Sequence, residues 1–280
     1  MPYAVQPNGR IIVDVKVNDA GPFRFAIDTA ATGSFIFEPL RAVLELMPIP
    51  DLQAQVHGAV ATGSYPVIAV SSLSIGDVTW PDTQLILLPG DTAATSDIDG
   101  VLGADFLRRY SLGFFSRDGF LRVYEPDAIA DRSYGDWTAL AIEPRTFRDS
   151  QEPLHYFNVE VAGYSVPALF DLGAGVNMIN SAAAEALRLA PIRPTERGEF
   201  SGAIGTEPVI AQLSTQTLRT GRISWRNEMF VIADLPIFAT LESAAAPLAI
   251  LGSGLFSQRD FIIDFPRNRL LIRNTAAELR

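Results

Sequence analysis

The chain has 280 residues, of which 48% are hydrophobic and 19% charged, a balance that excludes a disordered chain and is typical of a well-packed globular protein. Its formal charge of -10 argues against a nucleic-acid partner, since binding phosphate requires a basic surface, and no apolar run approaches the roughly 18 residues of a membrane span. Cysteine is absent and histidine occurs only twice, so disulfides, thiol nucleophiles and histidine-rich metal sites are excluded.

Strands predominate among the predicted elements of the first half. Residues Arg10 to Val17 alternate apolar and polar side chains, which is typical of a half-buried strand. A second apolar strand, Phe23 to Asp28, ends at an aspartate. The pattern over Pro39 to Leu46 predicts a short helix.

The predicted elements of the second half follow a similar order. An apolar strand over Ala168 to Asp171 again ends at an aspartate, and a helix capped by Ser181 is predicted over Ser181 to Leu189. Near the end of the chain, two apolar segments over residues 261–265 and 270–273 flank a Pro-Arg-Asn turn and predict a hairpin.

The two halves repeat one another. Residues 28–49 align with residues 171–192 without a gap. A second pair of segments, GVLGADFL from Gly100 and AILGSGLF from Ala249, follows at matching places in the two halves. A repeat that covers most of both halves in one order predicts two copies of one lobe.

The predicted lobes meet within residues 126–153, where prolines and charged residues break the periodicity. We place the boundary near residue 136, which gives an N-terminal lobe over residues 1–135 and a C-terminal lobe over residues 136–280. A duplicated β fold without any active site would show the same duplication, so the repeat alone does not establish a function.

The matched aspartates supply the functional signal. Each follows an apolar strand, where burying a carboxylate is costly unless hydrogen-bond donors surround it. A single aspartate of this kind is more often a turn or cap residue than a catalyst. Two at matched positions of a duplicated lobe favour a catalytic pair, because pseudo-symmetry can bring them together.

Four segments resemble those of pepsin and retropepsin aspartic proteases. The loops DTAAT at 28–32 and DLGAG at 171–175 are similar to the family's D-[ST]-G-[AS]-[ST] loop. The later segments VLGAD at 101–105 and ILGSG at 250–254 are similar to its apolar-apolar-Gly segment. The resemblance covers nearly the whole chain, in both halves.

The resemblance implies a mostly-β fold of two duplicated retropepsin-like, acid-protease β-barrel lobes related by a pseudo-twofold axis, with few short helices. It implies an aspartic endopeptidase in which Asp28 and Asp171 activate water, with no metal and no cofactor. The implied partner is a polypeptide substrate bound extended in the cleft between the lobes. Because one chain supplies both aspartates, we expect a monomer.

The resemblance also assigns supporting residues. Four residues are expected to support the aspartate loops: Thr29, Ala30, Thr32 and Gly173. Glycine-containing hairpins over His57 to Gly63 and Phe200 to Gly205 are expected to act as flaps above the substrate. Within them the candidate substrate contacts are His57, Gly58, Gly63, Gly202 and Gly205. Two ordinary glycine turns are the alternative interpretation.

Three positions depart from the family pattern. Ala30 replaces a glycine, Leu172 replaces a hydroxyl residue that would reach the other lobe, and Gly175 replaces a second hydroxyl residue. Asp28 is therefore expected to have more local donors, including Thr32, than Asp171. We predict that Asp28 acts as the base and Asp171 holds the shared proton.

The residues are compatible with two other functions. The missing donors allow a pseudo-protease that binds peptides or regulates a partner without cleaving. A glycoside hydrolase with two carboxylates is a further class, with no other feature in its favour. By analogy with exported bacterial relatives we expect a periplasmic or secreted protein whose leader has been removed; because MPYAVQPNGR itself is not a signal peptide, a cytoplasmic protein is the alternative.

Overall fold

The computed structural model describes residues 1–129, 135–146, 152–188, 191–192, 199–241, 245–276 and 278. This part of the chain is mostly β, with short helices. The elements of the N-terminal half are β1 Ala4–Val5, β2 Ile11–Val17, β3 Ala20–Ile27, β4 Phe35–Phe37, α1 Glu38–Val43, β5 Pro48–His57, β6 Thr62–Ile75, β7 Val78–Leu88, β8 Gly100–Leu102, α2 Ala104–Leu107, β9 Ser111–Phe115 and β10 Phe120–Tyr124.

The C-terminal half repeats this succession of elements. It contains β11 Trp137–Ala141, β12 Glu143–Thr146, β13 Pro153–Val161, β14 Tyr164–Asp171, β15 Asn177–Ile179, α3 Ser181–Leu187, β16 Glu199–Ser201, β17 Thr206–Pro208, β18 Ala211–Thr220, β19 Ile223–Ile232, α4 Pro236–Leu241, β20 Ala249–Gly252, a 3-10 turn Ser253–Leu255, β21 Phe261–Asp264, a 3-10 turn Phe265–Arg267 and β22 Arg269–Arg273. None of the helices in the described ranges is long and apolar enough to cross a membrane.

The N-terminal lobe is a barrel-like sheet in the order β1-β2-β3-β8-β4-β7-β6-β5, and a further pairing of β2 with β6 curls it. In β2 the alternating residues Val13, Val15 and Val17 are buried, while Asp14 and Lys16 are exposed. The strand predicted from this alternation is therefore confirmed.

The C-terminal lobe has the matching sheet order β12-β13-β14-β20-β15-β19-β18, curled by a pairing of β13 with β18. Parallel pairs occupy the same place in both lobes, β3 with β8 and β14 with β20. Strands β16 and β17 form a separate hairpin. The prediction of a mostly-β, duplicated, two-lobed fold is confirmed.

A third sheet, in the order β10-β9-β21-β22-β11, contains strands from both halves. Its β21–β22 pair is the hairpin predicted near the end of the chain. Between β9 and β21, the rings of Phe114 and Phe261 stack with centroids 4.6 Å apart. The hydroxyl of Ser111 donates a 2.9 Å hydrogen bond to the fully buried carboxylate of Asp264. The shared sheet therefore fixes the lobes relative to one another.

Two details of the sequence prediction need correction. Helix α3 is capped by Asn180, whose Oδ1 accepts a 2.9 Å hydrogen bond from the amide of Ala183, so Ser181 is the first helical residue rather than the cap. Helix α1 ends at Val43, before the predicted Leu46. Residue 189 and much of the segment around the predicted boundary lie outside the described residues, so that boundary stays a prediction.

Candidate active site

Each aspartate lies where a central strand passes into a loop. Asp28 follows β3, and Asp171 is the last residue of β14. Both strands pair in parallel with the strand that ends in the apolar-apolar-Gly segment, β8 or β20. The sequence repeat thus places the two carboxyls at equivalent points of the two lobes.

Glycines allow each aspartate loop to cross its neighbouring strand at close range. A Cβ on Gly103 would collide with the carbonyl of Gly33, and a Cβ on Gly252 would collide with the carbonyl of Ala174. The Ala174 carbonyl also accepts a 2.8 Å hydrogen bond from the amide of Ser253. The glycine of the apolar-apolar-Gly segment is therefore required by the path of the loop.

Main-chain amides hold both carboxyls in the same way. Oδ1 of Asp28 accepts hydrogen bonds from the amides two and three residues later, at 2.9 and 2.8 Å. Oδ1 of Asp171 does the same, at 2.8 and 3.1 Å. Thr32 lines the cleft, and within the described ranges its hydroxyl makes no hydrogen bond to Asp28. The expected extra donor from Thr32 is therefore not present.

The two carboxyls nevertheless differ electrostatically. Both line the same cleft, and each carboxyl shifts the pKa of the other. Burial raises the pKa of Asp28, opposed by the loop amides and by the positive charge of Arg10. Burial raises the pKa of Asp171 well above its usual range, and the charge of Asp28 raises it further. A proton shared by the pair is therefore favoured on Asp171.

Thr29 joins the two aspartate loops. Its buried hydroxyl donates to the carbonyl of Phe170 at 2.7 Å and accepts from the amide of Leu172 at 3.0 Å. Leu172 has no hydroxyl to return this contact, and its side chain is fully buried in the main hydrophobic core. Among the described residues, Thr29 is therefore the one hydroxyl that links the two aspartate loops, without a reciprocal side chain.

The third residue of each aspartate loop, Ala30 in one lobe and Gly173 in the other, has different surroundings. A Cβ on Gly173 would collide with the carboxyl group of Asp28. Ala30, its counterpart in the N-terminal lobe, packs its methyl group against the apolar cluster of the C-terminal lobe. Gly175 lies against the side chain of Asn8, which leaves no space for a larger residue without a shift of Asn8.

A cleft of about 860 Å³ contains both aspartates, a volume within the roughly 300–1,000 Å³ range of ligand sites. Both predicted flaps are hairpins on its wall: β5–β6 carries the first, and β16–β17 the second. His57, Gly58 and Gly202 line the cleft. Gly63 and Gly205 lie in the hairpins but not on the cleft wall.

The tips of the flaps cross over to the opposite lobes. Val60 of the first flap is buried in the apolar cluster of the C-terminal lobe, and Ile204 of the second flap packs against a cluster of the N-terminal lobe. The carbonyl of Ala59 accepts a 3.3 Å hydrogen bond from the amide of Ile237. The tip of each hairpin is therefore packed against the other lobe.

Sequence reasoning missed three of these residues. Val60 and Ile204 lie inside the predicted flaps. Each packs against the lobe opposite to its own, and this contact depends on the three-dimensional arrangement of the lobes. Arg10, 8% exposed, lines the cleft and had been assigned only to the start of a strand. Its position one residue before a buried strand was the available signal.

The family is established by a match to both lobes. A family model described as aspartyl protease matches residues 13–106 and, a second time, residues 157–255. These ranges cover more than half of the chain, so the chain belongs to the aspartyl protease family, which confirms the resemblance of its loops. A comparison with curated proteins finds no match. Among the residues that the structure describes, no group of three or more His, Asp or Glu side chains is placed to hold a metal ion.

Proposed function

We propose that the protein is an aspartic endopeptidase in which Asp28 and Asp171 activate a water molecule for attack on a peptide bond. Membership of the aspartyl protease family supports a protease-like function in general. The observation that supports the specific proposal is a pair of carboxyls, one from each lobe, that line one cleft and shift each other's pKa. Two such carboxyls cannot both ionise, so they share one proton and supply a base and an acid together.

In the proposed mechanism, a water molecule attacks the carbonyl carbon of the peptide bond with its oxygen. Ionised Asp28 accepts a proton from this water molecule in the same step. Protonated Asp171 donates its proton to the carbonyl oxygen, which gives a neutral tetrahedral diol. Asp28 then passes its proton to the amide nitrogen while Asp171 takes a proton back from a hydroxyl. The C–N bond breaks, and the products are a carboxylic acid and an amine, with the dyad restored.

Two features of the cleft support an extended polypeptide as the substrate. Gly58 and Gly202, one in each predicted flap, line the cleft together with the aspartates, as the parts of a lid over a bound chain would. The walls beside the aspartates are apolar, with Phe35 in one lobe and Met178 in the other. Apolar side chains on either side of the scissile bond would therefore be bound in preference to charged ones.

The proposal is tested with the purified protein and a mixed peptide library between pH 3 and 8, with the products identified by mass spectrometry. Cleavage by the wild type that is lost in both Asp28→Asn and Asp171→Asn supports the dyad. Cleavage that survives in both variants contradicts it and indicates a different site or a contaminant.

Peptide binding without catalysis is the competing function, and the departures at Leu172 and Gly175 favour it. It predicts no turnover by the folded wild type at any pH. It also predicts peptide affinity that is equal in the wild type and Asp28→Asn, because the affinity would come from the cleft walls and flaps. Titration calorimetry with the same peptides measures this.

A further inference from the structure

Arg10 is a buried cation on the wall of the cleft, and its hydrogen bonding is incomplete. Its side chain is 8% exposed and lines the same cleft as the aspartates. One terminal nitrogen donates a 2.7 Å hydrogen bond to the carbonyl of Ala94, while the buried Nε has no partner among the described residues. A buried charge is costly unless it is paired and hydrogen bonded, so an arginine on the wall of a binding cleft without a carboxylate partner among the described residues indicates a missing anion.

The position of Arg10 is fixed by its surroundings. Its amide donates a 3.1 Å hydrogen bond to Oδ1 of Asn8, and the preceding Gly9 packs directly against Gly254 of the other lobe. Burial lowers the pKa of Arg10, opposed by the negative charges of Asp28, Asp171 and Asp97. The group thus lies within electrostatic range of the dyad, yet no carboxylate of the described residues forms an ion pair with it.

The pseudo-symmetric position of the other lobe is apolar. Ile12 pairs with Ala26, two residues before Asp28, and Tyr156 pairs with Leu169, two residues before Asp171. Counting back two residues from Ile12 and from Tyr156 makes Leu154 the counterpart of Arg10.

Leu154 is 3% exposed and lines the same cleft. Among the cleft-lining residues that the structure describes, Arg10 is the one arginine or lysine. The cleft is thus cationic on one side of its pseudo-twofold axis and apolar on the other.

We propose that Arg10 is a specificity-determining residue that binds a carboxylate of the substrate at one fixed position on one side of the scissile bond. The inference rests on the proposed function of the cleft. A carboxylate oxygen would accept from the guanidinium where it lines the cleft and would balance its buried positive charge. On the opposite side, the cleft accepts an apolar side chain at Leu154. The carboxylate comes either from an acidic side chain or from the free C-terminus of a short substrate.

The experiment compares peptides that differ by one group. The wild type first cleaves a peptide library, which identifies any position enriched in Asp or Glu. Matched peptides with Glu or Gln at that position, and with a free or amidated C-terminus, are then compared by kcat/KM. The expected preference for the carboxylate is about 10–100-fold, the range for a hydrogen bond to a charged group. A C-terminal preference without a side-chain preference identifies the terminus as the source.

Arg10→Leu, which copies Leu154, is expected to abolish that preference while the Gln peptide is still cleaved, and Arg10→Lys is expected to keep part of it. Because the charge of Arg10 also lowers the pKa of Asp28, Arg10→Leu is expected to slow the cleavage of both peptides, and the ratio of their kcat/KM values is therefore the readout of carboxylate binding. A wild type that cleaves without any carboxylate preference overturns the inference and leaves the proposed function standing.

If the wild type cleaves no peptide, the role of Arg10 is tested by peptide binding instead. Binding of the peptide library to Asp28→Asn then identifies any position enriched in Asp or Glu, and calorimetry with matched Glu and Gln peptides is the test. A tenfold tighter Glu peptide supports the role of Arg10 although the endopeptidase proposal fails, and equal affinities overturn both.

Discussion

The hydroxyl of Thr29 donates a 2.7 Å hydrogen bond to the main-chain carbonyl of Phe170, so a side chain of one lobe is bonded to the strand that carries the other lobe's aspartate. In the opposite direction Leu172 supplies only its amide, which Thr29 accepts at 3.0 Å. The relative position of the two aspartate loops therefore depends on one hydroxyl group rather than on two.

Thr29→Val should destabilise the protein by about 1–3 kcal/mol, because it keeps the shape of the side chain but leaves a buried carbonyl and a buried amide unpaired. Urea denaturation measures the change. Thr32→Val is the matched control, since it makes the same change in the same loop at a hydroxyl without a hydrogen bond among the described residues; it should stay within about 0.5 kcal/mol of the wild type. Equal stability of the two variants would show that the contact between the loops contributes nothing.

Asp171→Asn should be inactive and yet more stable than the wild type at pH 7. The pKa of Asp171 is raised in the folded protein. Its contribution to the free energy of unfolding is therefore fully present below the unfolded-state pKa of about 4 and is lost as the pH rises, because the unfolded chain then releases the proton that the folded protein keeps. An amide keeps the acceptor for the loop amides without the charge. Thermal denaturation at pH 7 and pH 4 should show a gain that shrinks towards pH 4, and the exposed Asp118→Asn is the control. A gain that does not depend on pH would contradict this account.

Gly173→Ala should reduce kcat at least about 100-fold, because the new methyl group displaces the Asp28 carboxyl from its position beside Asp171. Ala30→Gly is the mirror-image change in the other lobe. It should remain folded and cost at most about 1 kcal/mol of stability, from the added backbone freedom. The loss of activity is measured by kinetics with a peptide that the wild type cleaves. The change in stability is measured separately by denaturation of both variants. Full activity of Gly173→Ala would mean that the loop moves aside without cost.

His155 should make the protein less stable in acid. It is 2% exposed and packs edge-on against the ring of Phe265, and burial lowers its pKa to about 4. Below about pH 6.5 the histidine therefore binds a proton in the unfolded chain but stays neutral in the folded protein. This difference lowers the free energy of unfolding by roughly 3 kcal/mol at pH 4.

Urea denaturation of His155→Leu between pH 7 and pH 4 should show this loss removed, whatever the variant's stability at pH 7. His57→Gln, which removes the histidine of the flap, is the control. An unchanged acid dependence in His155→Leu would assign the loss of stability to other groups.

Val60→Ala should loosen the first flap. Removing two methyl groups from the apolar cluster of the opposite lobe weakens closure by about 1–2 kcal/mol, which corresponds to a factor of 5–30 in the closed-to-open ratio. The amide of Ile237, bonded to the carbonyl of Ala59, should exchange its hydrogen faster by that factor. Val43→Ala, at a side chain that is 73% exposed, should have no effect on this exchange. Unchanged protection in Val60→Ala would show that the tip does not hold the flap.

The sequence predicted those parts of the site that depend on local pattern and on duplication. Asp28 and Asp171 were found because each ends an apolar strand and because the two strands match. Arg10 was not found, since its place in the cleft depends on a turn before β2 and on contact with the other lobe. The assignment of Asp28 as the base stays a prediction. The hydroxyl of Thr32, from which it was argued, makes no hydrogen bond to Asp28 in the described ranges, whereas the loop amides and then the charge of Arg10 lower the pKa of Asp28 against the effect of burial.

The sheet that joins the lobes also has a consequence for synthesis on the ribosome. Ser111 in β9 and its partner Asp264 in β21 are 153 residues apart in the chain. At about 5–20 residues per second, β9 waits roughly 8–30 s for its neighbouring strand. Throughout that time its edge is open to other strands, a state that chaperones commonly protect. The nascent chain also completes this sheet only after both aspartates have been made, so the lobes are fixed relative to one another only once β21 and β22 have been synthesised.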